Sequence, residues 1–167
     1  FVGDLYQPKC APAKGGGFWV ICSRMVDGDF DLYALRNDGS GWGEPLNISG
    51  AQGHDFNPAV CATEAGDVVC VWQGFRNGSS DILLARCAIG EWQTPVSVMA
   101  SPANEWMPSI ASRSDRTWVA WDTYVNGSYD VYAAPIIAGK PGEPLPIAAS
   151  PRFEAKASAA IDSQGRV

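Results

Sequence analysis

An all-β fold of repeated four-stranded blades is predicted by three observations. First, the stretch Asn57–Met99 carries three short apolar runs, Ala59–Cys61, Val68–Trp72 and Ile82–Ala85, then a weaker alternating run, Pro95–Met99. Gly, Asn, Ser or Asp clusters separate them, which is the signature of strands joined by turns. Second, the stretch recurs: Pro8, Pro58 and Pro108 stand 50 residues apart, and Asp31, Asp81 and Asp130 keep steps of 50 and 49. Gly28, Gly78 and Gly127 follow, as do Pro45, Pro95 and Pro144, and Trp72 falls on Trp121 and on Cys22. Third, no helical periodicity of useful length is present. One four-stranded sheet cannot bury both of its faces, so such units stack around an axis as the blades of a β-propeller.

Taken in order, residues 1–7 match 51–57 and so form the connection entering blade one. Blade one spans 8–49. Its first hairpin holds Lys14-Gly15-Gly16-Gly17, its second strand is Phe18–Cys22, and the turn Asp27-Gly28-Asp29 leads into a third strand at Asp31–Leu35. Gly41-Trp42-Gly43-Glu44-Pro45 introduces the fourth, where a proline needs no ladder partner because the strand is an outer edge. Blade two spans 57–99, and its continuous run Val68–Trp72 predicts a strand covered on both faces. Blade three spans 107–148, with Thr117–Trp121, Val131–Ala134 and Pro144–Ile147 as its second to fourth strands. A further blade begins over 157–167, with Ser163-Gln164-Gly165 at its first turn. At a period near fifty the chain holds about three and a third blades, while closed propellers typically have ~4–8. The expectation is an incomplete propeller whose remaining blades come from a longer polypeptide or from self-association.

The chain has 167 residues, is 46% hydrophobic and 18% charged, and carries a net charge of −6. That is a foldable composition. The negative charge, with no basic stripe, argues against a nucleic-acid partner, and no apolar run approaches the ~18 residues of a membrane span. Five cysteines sit inside or at the ends of predicted strands without CxxC spacing, the pattern of small buried hydrophobes. One pair stands apart. If Ala65-Gly66 is a two-residue hairpin loop, Cys61 faces Cys70 at a non-hydrogen-bonded site, where a cross-strand disulfide has room to form.

The run Ser23–Leu35, SRMVDGDFDLYAL, continuing through Asp38–Asn47, DGSGWGEPLN, resembles the TolB-like propeller repeat. That repeat pairs an "SDR-x-G-x-x-D-I-Y" centre with a "G-x-W-x-x-P-x-x-L" edge. The resemblance covers essentially the whole chain and is strongest in blades one and two; blade three departs from it, with Asp122-Thr123-Tyr124 at the centre and no tryptophan before Pro144. It implies the propeller fold and an exported, periplasmic or extracellular setting. It also implies one of several roles: binding or scaffold protein, peptidoglycan-associated protein, or the propeller of a prolyl-oligopeptidase-like enzyme.

Asp27, Asp29 and Asp31 have the spacing that opens many calcium loops, without the later glycine and bidentate glutamate. Blades two and three place Asn77-Gly78 and Asn126-Gly127 at the same point. Asp31, Asp81 and Asp130 are therefore expected to be structural turn residues accepting backbone N–H bonds, and no metal is expected. Asp55, Glu105 and Glu154 each lie three residues before the 58, 108 or 157 position, on the connections between blades. These connections share one face with the loops predicted over 24–30, 73–80 and 122–129, and function gathers on loops held by a rigid scaffold. The candidate ligand-binding set is His54, Asp55, Asn57, Arg76, Asn104, Glu105, Trp106, Arg152 and Glu154. Acidic, amide and aromatic groups together suit a protein, peptide or glycan ligand; the plainer reading is that each acid bonds backbone N–H groups or a neighbouring blade's Arg.

No nucleophile elbow, phosphate loop or sialidase-type box is present, and His54 stands alone. No catalytic residue and no cofactor are expected. The sequence therefore points to a non-enzymatic binding or scaffold propeller, with a serine-hydrolase propeller or a lectin-like carbohydrate-binding module as alternatives.

Overall fold

A computed structural model describes residues 4–50, 53–99, 101–125 and 127–167. Residues 1–3 and 51–52 of the predicted connections, and Asn126 of the third turn, lie outside the described residues.

Among the described residues, three antiparallel sheets follow one another along the chain. Blade one is β1 (Leu5–Pro12), β2 (Phe18–Val26), β3 (Asp29–Asn37) and β4 (Leu46–Asn47), paired in that order. Blade two is β5 (Asp55–Ala62), β6 (Val68–Arg76) and β7 (Ser79–Ala88), with β8 (Glu91–Trp92) and β9 (Val96–Met99) both on the outer side of β7. Blade three repeats this as β10 (Asn104–Arg113), β11 (Arg116–Val125), β12 (Ser128–Ile137), β13 (Lys140–Pro141) and β14 (Leu145–Ala148). Pro45, Pro95 and Pro144 immediately precede the outermost strands, where no donor is missed.

Alternation along β6 builds the core. Val68, Cys70 and Trp72 pack toward Trp19, Ile21, Leu32 and Ala34 of blade one, while Val69 and Val71 pack with Val119, Trp121, Ala134 and Ile136 of blade three. The central blade is thus covered on both faces, as its unbroken apolar run requires. Trp19 meets Trp92 edge-on across the first seam, with ring centroids 5.6 Å apart. Cys22, Trp72 and Trp121 occupy the same ladder position in the three blades, opposite Tyr33, Leu83 and Tyr132.

Two expectations about turns need correction. The first hairpin of blade two closes through Thr63–Gly66, with Thr63 N donating to Asp67 O at 2.9 Å and Gly66 N to Thr63 O at 2.9 Å. Three residues, Glu64–Gly66, thus lie between the paired Thr63 and Asp67, and this odd count moves the register by one, so Cys61 opposes Val69 and Cys70 opposes Val60. Successive positions alternate faces, which sends Cys61 toward blade three and Cys70 toward blade one. Both are free thiols, and burial pushes Cys61 up to about 12. The loops predicted over 24–30 and 73–80 are also mostly strand. β2 and β6 run to Val26 and Arg76, and two-residue turns with both residues at positive φ, Asp27-Gly28 and Asn77-Gly78, close the hairpins. Such turns match the strand twist, so the ladder continues to the tip.

Residues 155–161 lie beside blade three without joining its sheet, held where Ala159 N donates to Ser109 Oγ at 2.9 Å. A turn over Asp162–Arg166 follows, with Gly165 N bonded to Asp162 O. On the far side of blade one, Leu5, Val20, Leu35, Trp42 and Pro45 border an apolar cleft of about 550 Å3.

Candidate functional site

Each first strand is broken at the same place. The residue before the 8, 58, 108 or 157 position has a left-handed backbone: Gln7 at φ 53°, Asn57 at 54°, Met107 at 51° and Lys156 at 65°. Ladder register slips there in β1, β5 and β10, which marks a β-bulge. The bulges turn Gln7, Asn57, Met107 and Lys156 into a shared channel of about 610 Å3, whose charged lining groups are Lys9 and Lys156. Asn57 N donates to Gln7 Oε1 at 2.7 Å, the Gln7 amide donates to Asn57 Oδ1, and Asn57 Nδ2 reaches Gln73 Oε1 at 2.9 Å. This amide chain ties blade one to blade two.

Two residues before the bulges stand the acids. Asp55 is 0% exposed and is the hub of a closed set: Trp72 Nε1 donates to Oδ1 at 2.7 Å, and Arg76 Nη2 reaches both oxygens at 2.8 Å. Burial pushes its carboxyl up on balance, and the Arg76 and Trp72 donors oppose that shift only in part. Glu105, the same position of blade three, is also 0% exposed. Ser101 Oγ donates to its Oε1 at 2.6 Å, but Oε2 meets no hydrogen-bond partner among the described residues, although Thr123 stands opposite in the ladder. The place of Arg76 is taken by Val125, each being the last residue of its strand before the turn. Burial therefore pushes the Glu105 carboxyl up to about 7, opposed by the Ser101 hydroxyl, reinforced by the charge of Asp81, and opposed again by the nearby Thr123 hydroxyl.

The other candidates separate into anchors and rim. His54 is about half exposed and its Nδ1 lies 2.8 Å from Asp29 Oδ1 on the hairpin tip of blade one. Asn104 accepts from Ser80 N at 3.0 Å. Glu154 accepts from Ser150 N at 2.9 Å, and the Arg152 carbonyl accepts from Ser128 Oγ at 2.7 Å. Glu154 bonds a backbone N–H, whereas Asp55 takes an Arg of its own blade and not of a neighbouring one. Trp106 belongs to an aromatic cluster with Tyr124 and Tyr129, and Tyr129 meets the largely exposed Phe153 at 4.8 Å between centroids. Tyr124 and Tyr129 escape a reading of the sequence that expects a long loop where the hairpin in fact continues.

Asp31, Asp81 and Asp130, expected as turn residues that accept backbone N–H bonds, stand just past the turns, and Asp81 does accept a backbone N–H, that of Ser101. All three lie within third strands, and Asp31 accepts from Asn47 Nδ2 at 3.0 Å and Ser49 Oγ at 3.3 Å, so it ties the third strand to the outgoing fourth. Asp81 and Asp130 each keep one buried oxygen without a partner among the described residues. No group of three or more His, Cys, Asp or Glu suited to a metal occurs among the described residues.

No protein-family profile and no curated protein matches the sequence. Solved structures do match the fold. The α-L-arabinanase of Penicillium chrysogenum, complexed with arabinobiose, superposes with a TM-score of 0.62 at 12% identity, over 96% of this chain and 52% of that one. The endo-arabinase of Bacteroides thetaiotaomicron gives 0.57 at 14% identity, over 87% and 63%. The α-L-arabinofuranosidase of Podospora anserina, complexed with cellotriose, gives 0.54 at 10% identity, over 89% and 52%. The chain therefore spans between half and two thirds of the length of these enzymes. At such identities the likeness shows the fold, an incomplete set of β-propeller blades. It contradicts the expectation of a non-enzymatic binding or scaffold protein, because the structures this fold matches are glycan-cleaving enzymes.

Proposed function

We propose that the chain is part of a carbohydrate-active propeller of the glycoside-hydrolase type. The observation that carries this reading is Glu105: a buried carboxyl, with only the Ser101 and Thr123 hydroxyls beside it and no counter-cation among the described residues, that keeps its proton to about pH 7. Glycoside hydrolysis asks for a carboxylic acid still protonated near neutral pH, to hand a proton to the leaving oxygen, and for a second, ionised carboxylate. Glu105 has the character of the first. Asp55 is the carboxylate for the second role because Arg76 is paired with it, which opposes the upward push that burial gives its carboxyl too. Both stand on innermost strands, two residues from the bulges that line the channel. Neither is exposed, so catalysis requires the Ser101 contact on Glu105 to open as the glycan enters. The fold's likeness to arabinan- and arabinofuranoside-cleaving enzymes makes pentose-containing glycans the first substrates to try.

The test is release of reducing ends from arabinan, xylan and aryl arabinofuranosides. Hydrolysis that falls at least a hundredfold in Glu105→Gln, with folding retained, supports the reading. A folded protein that cleaves none of them, or a Glu105→Gln variant as active as the parent, overturns it.

A further inference from the structure

We propose that the cleft between blades one and two, at the rim where β1 meets the His54 connection, seats one ring of a neutral sugar. The cleft measures about 370 Å3, near the lower end of the ~300–1,000 Å3 typical of small-molecule sites. Its walls are aromatic. Tyr6 and Phe30 meet edge-on at 5.2 Å between centroids, Phe30 lies 6.1 Å from the His54 ring, and Phe56 completes the enclosure.

The polar lining is uncharged. Ser23, 0% exposed, lines the cleft with a hydroxyl that has no partner among the described residues. Gln7 and Asn57 stand beside it, fixed by their mutual bonds. No Lys, Arg, Asp or Glu among the described residues lines the space, and His54 at its edge already faces Asp29. An anion or a cation would find no counter-ion there, and a wholly apolar ligand would leave the Ser23 hydroxyl stranded. A sugar ring offers both an apolar face for the aromatic walls and hydroxyls for Ser23 and the amides.

Comparison along the repeat shows why the cleft opens at this seam. The position of Ser23 is Gln73 in blade two and Asp122 in blade three. Gln73 is engaged by Asn57, and the Asp122 carboxylate fills its seam by accepting from Lys156 N at 2.8 Å and Ala157 N at 3.3 Å. Serine is too short to do either. The space and the unpaired hydroxyl are two results of one substitution in the repeat.

This proposal rests on the glycosidase-type reading for its ligand class, so its experiment reads binding and not hydrolysis. Saturation-transfer NMR is run on the folded protein with L-arabinose, D-xylose, D-galactose, D-glucose, arabinotriose and xylotriose, and with D-glucuronate and benzyl alcohol as charged and apolar comparisons. The expected result is transfer to at least one neutral sugar, weakened tenfold or more in Tyr6→Ala and several-fold in Ser23→Ala, which changes one atom and keeps the fold. Absence of transfer to every neutral sugar, preference for glucuronate or benzyl alcohol, or binding unchanged in both variants overturns it. Binding without hydrolysis leaves the sugar seat standing and removes the enzyme reading. Hydrolysis with binding indifferent to Tyr6 and Ser23 does the reverse.

Discussion

Asp55 and Glu105 hold the same place in consecutive blades, yet one is the centre of a satisfied network and the other is not. Asp55 has Trp72, and Arg76 with both of its oxygens in reach. Among the described residues Glu105 has the Ser101 hydroxyl on one oxygen and no cation, with only the Thr123 hydroxyl near the other, and the indole N–H of Trp121, counterpart of Trp72, is buried without a partner. The backbone is alike; the difference lies in Val125 where blade two has Arg76. One missing guanidinium turns a structural ion pair into a carboxyl that favours its neutral form. A repeat can therefore hold its scaffold constant while a single position sets the protonation state of a buried acid.

The comparison breaks most severely at Arg76. Arg76→Met strands a buried carboxylate, and the chain is expected to lose about 3–5 kcal/mol in urea unfolding at neutral pH, far more than an exposed pair would cost. Glu105 gives the next largest effect, and its sign is opposite to that of an ordinary salt-bridged acid. The folded chain keeps this proton to about pH 7, while the unfolded chain releases it near the ordinary value of 4.5. The folded state binds more protons between those values, so stability is greatest below 4.5 and declines as the pH rises to about 7. The decline is on the order of 2–3 kcal/mol. Glu105→Gln should flatten that part of the stability–pH curve. Supplying the missing partner sharpens the contrast: Val125→Arg is expected to bring the Glu105 titration down toward the ordinary glutamate range, shown by a shallower curve over the same window. Smallest is Gln7→Ala, which removes the amide tie between blades one and two and should cost about 1 kcal/mol in the same unfolding assay.

Much of the architecture is legible in the amino-acid sequence. The 50-residue spacing of the prolines, the strand order and the two-faced burial of Val68–Trp72 follow from periodicity and turn chemistry, because both are local properties of the chain. Register is harder to read. Whether Cys61 faces Cys70 depends on a loop being two or three residues long, and Thr63 closes the longer one by pairing with Asp67 through its backbone. Whether Gln73–Ser80 is loop or strand depends on Asn77-Gly78 serving as a complete turn. Spacing alone finds the acids, but their division into a satisfied Asp55 and an unsatisfied Glu105 needs the ladder that brings Arg76 back, 21 residues later, onto Asp55. Aligning Arg76 with Val125 across the repeat is the sequence signal that exposes it. The enzyme reading is illegible for a different reason: glycoside hydrolysis needs carboxylates in particular surroundings, not a fixed motif, and surroundings appear only on folding.

The most direct test is the titration of the Glu105 carboxyl itself, followed by 13C NMR of side-chain carboxyl resonances and assigned by its loss in Glu105→Gln. A midpoint near 7, moving downward in Val125→Arg, is the predicted result. A midpoint near 4.5, unmoved by Val125→Arg, would contradict the account, leaving Glu105 an ordinary carboxylate and the two seams chemically alike.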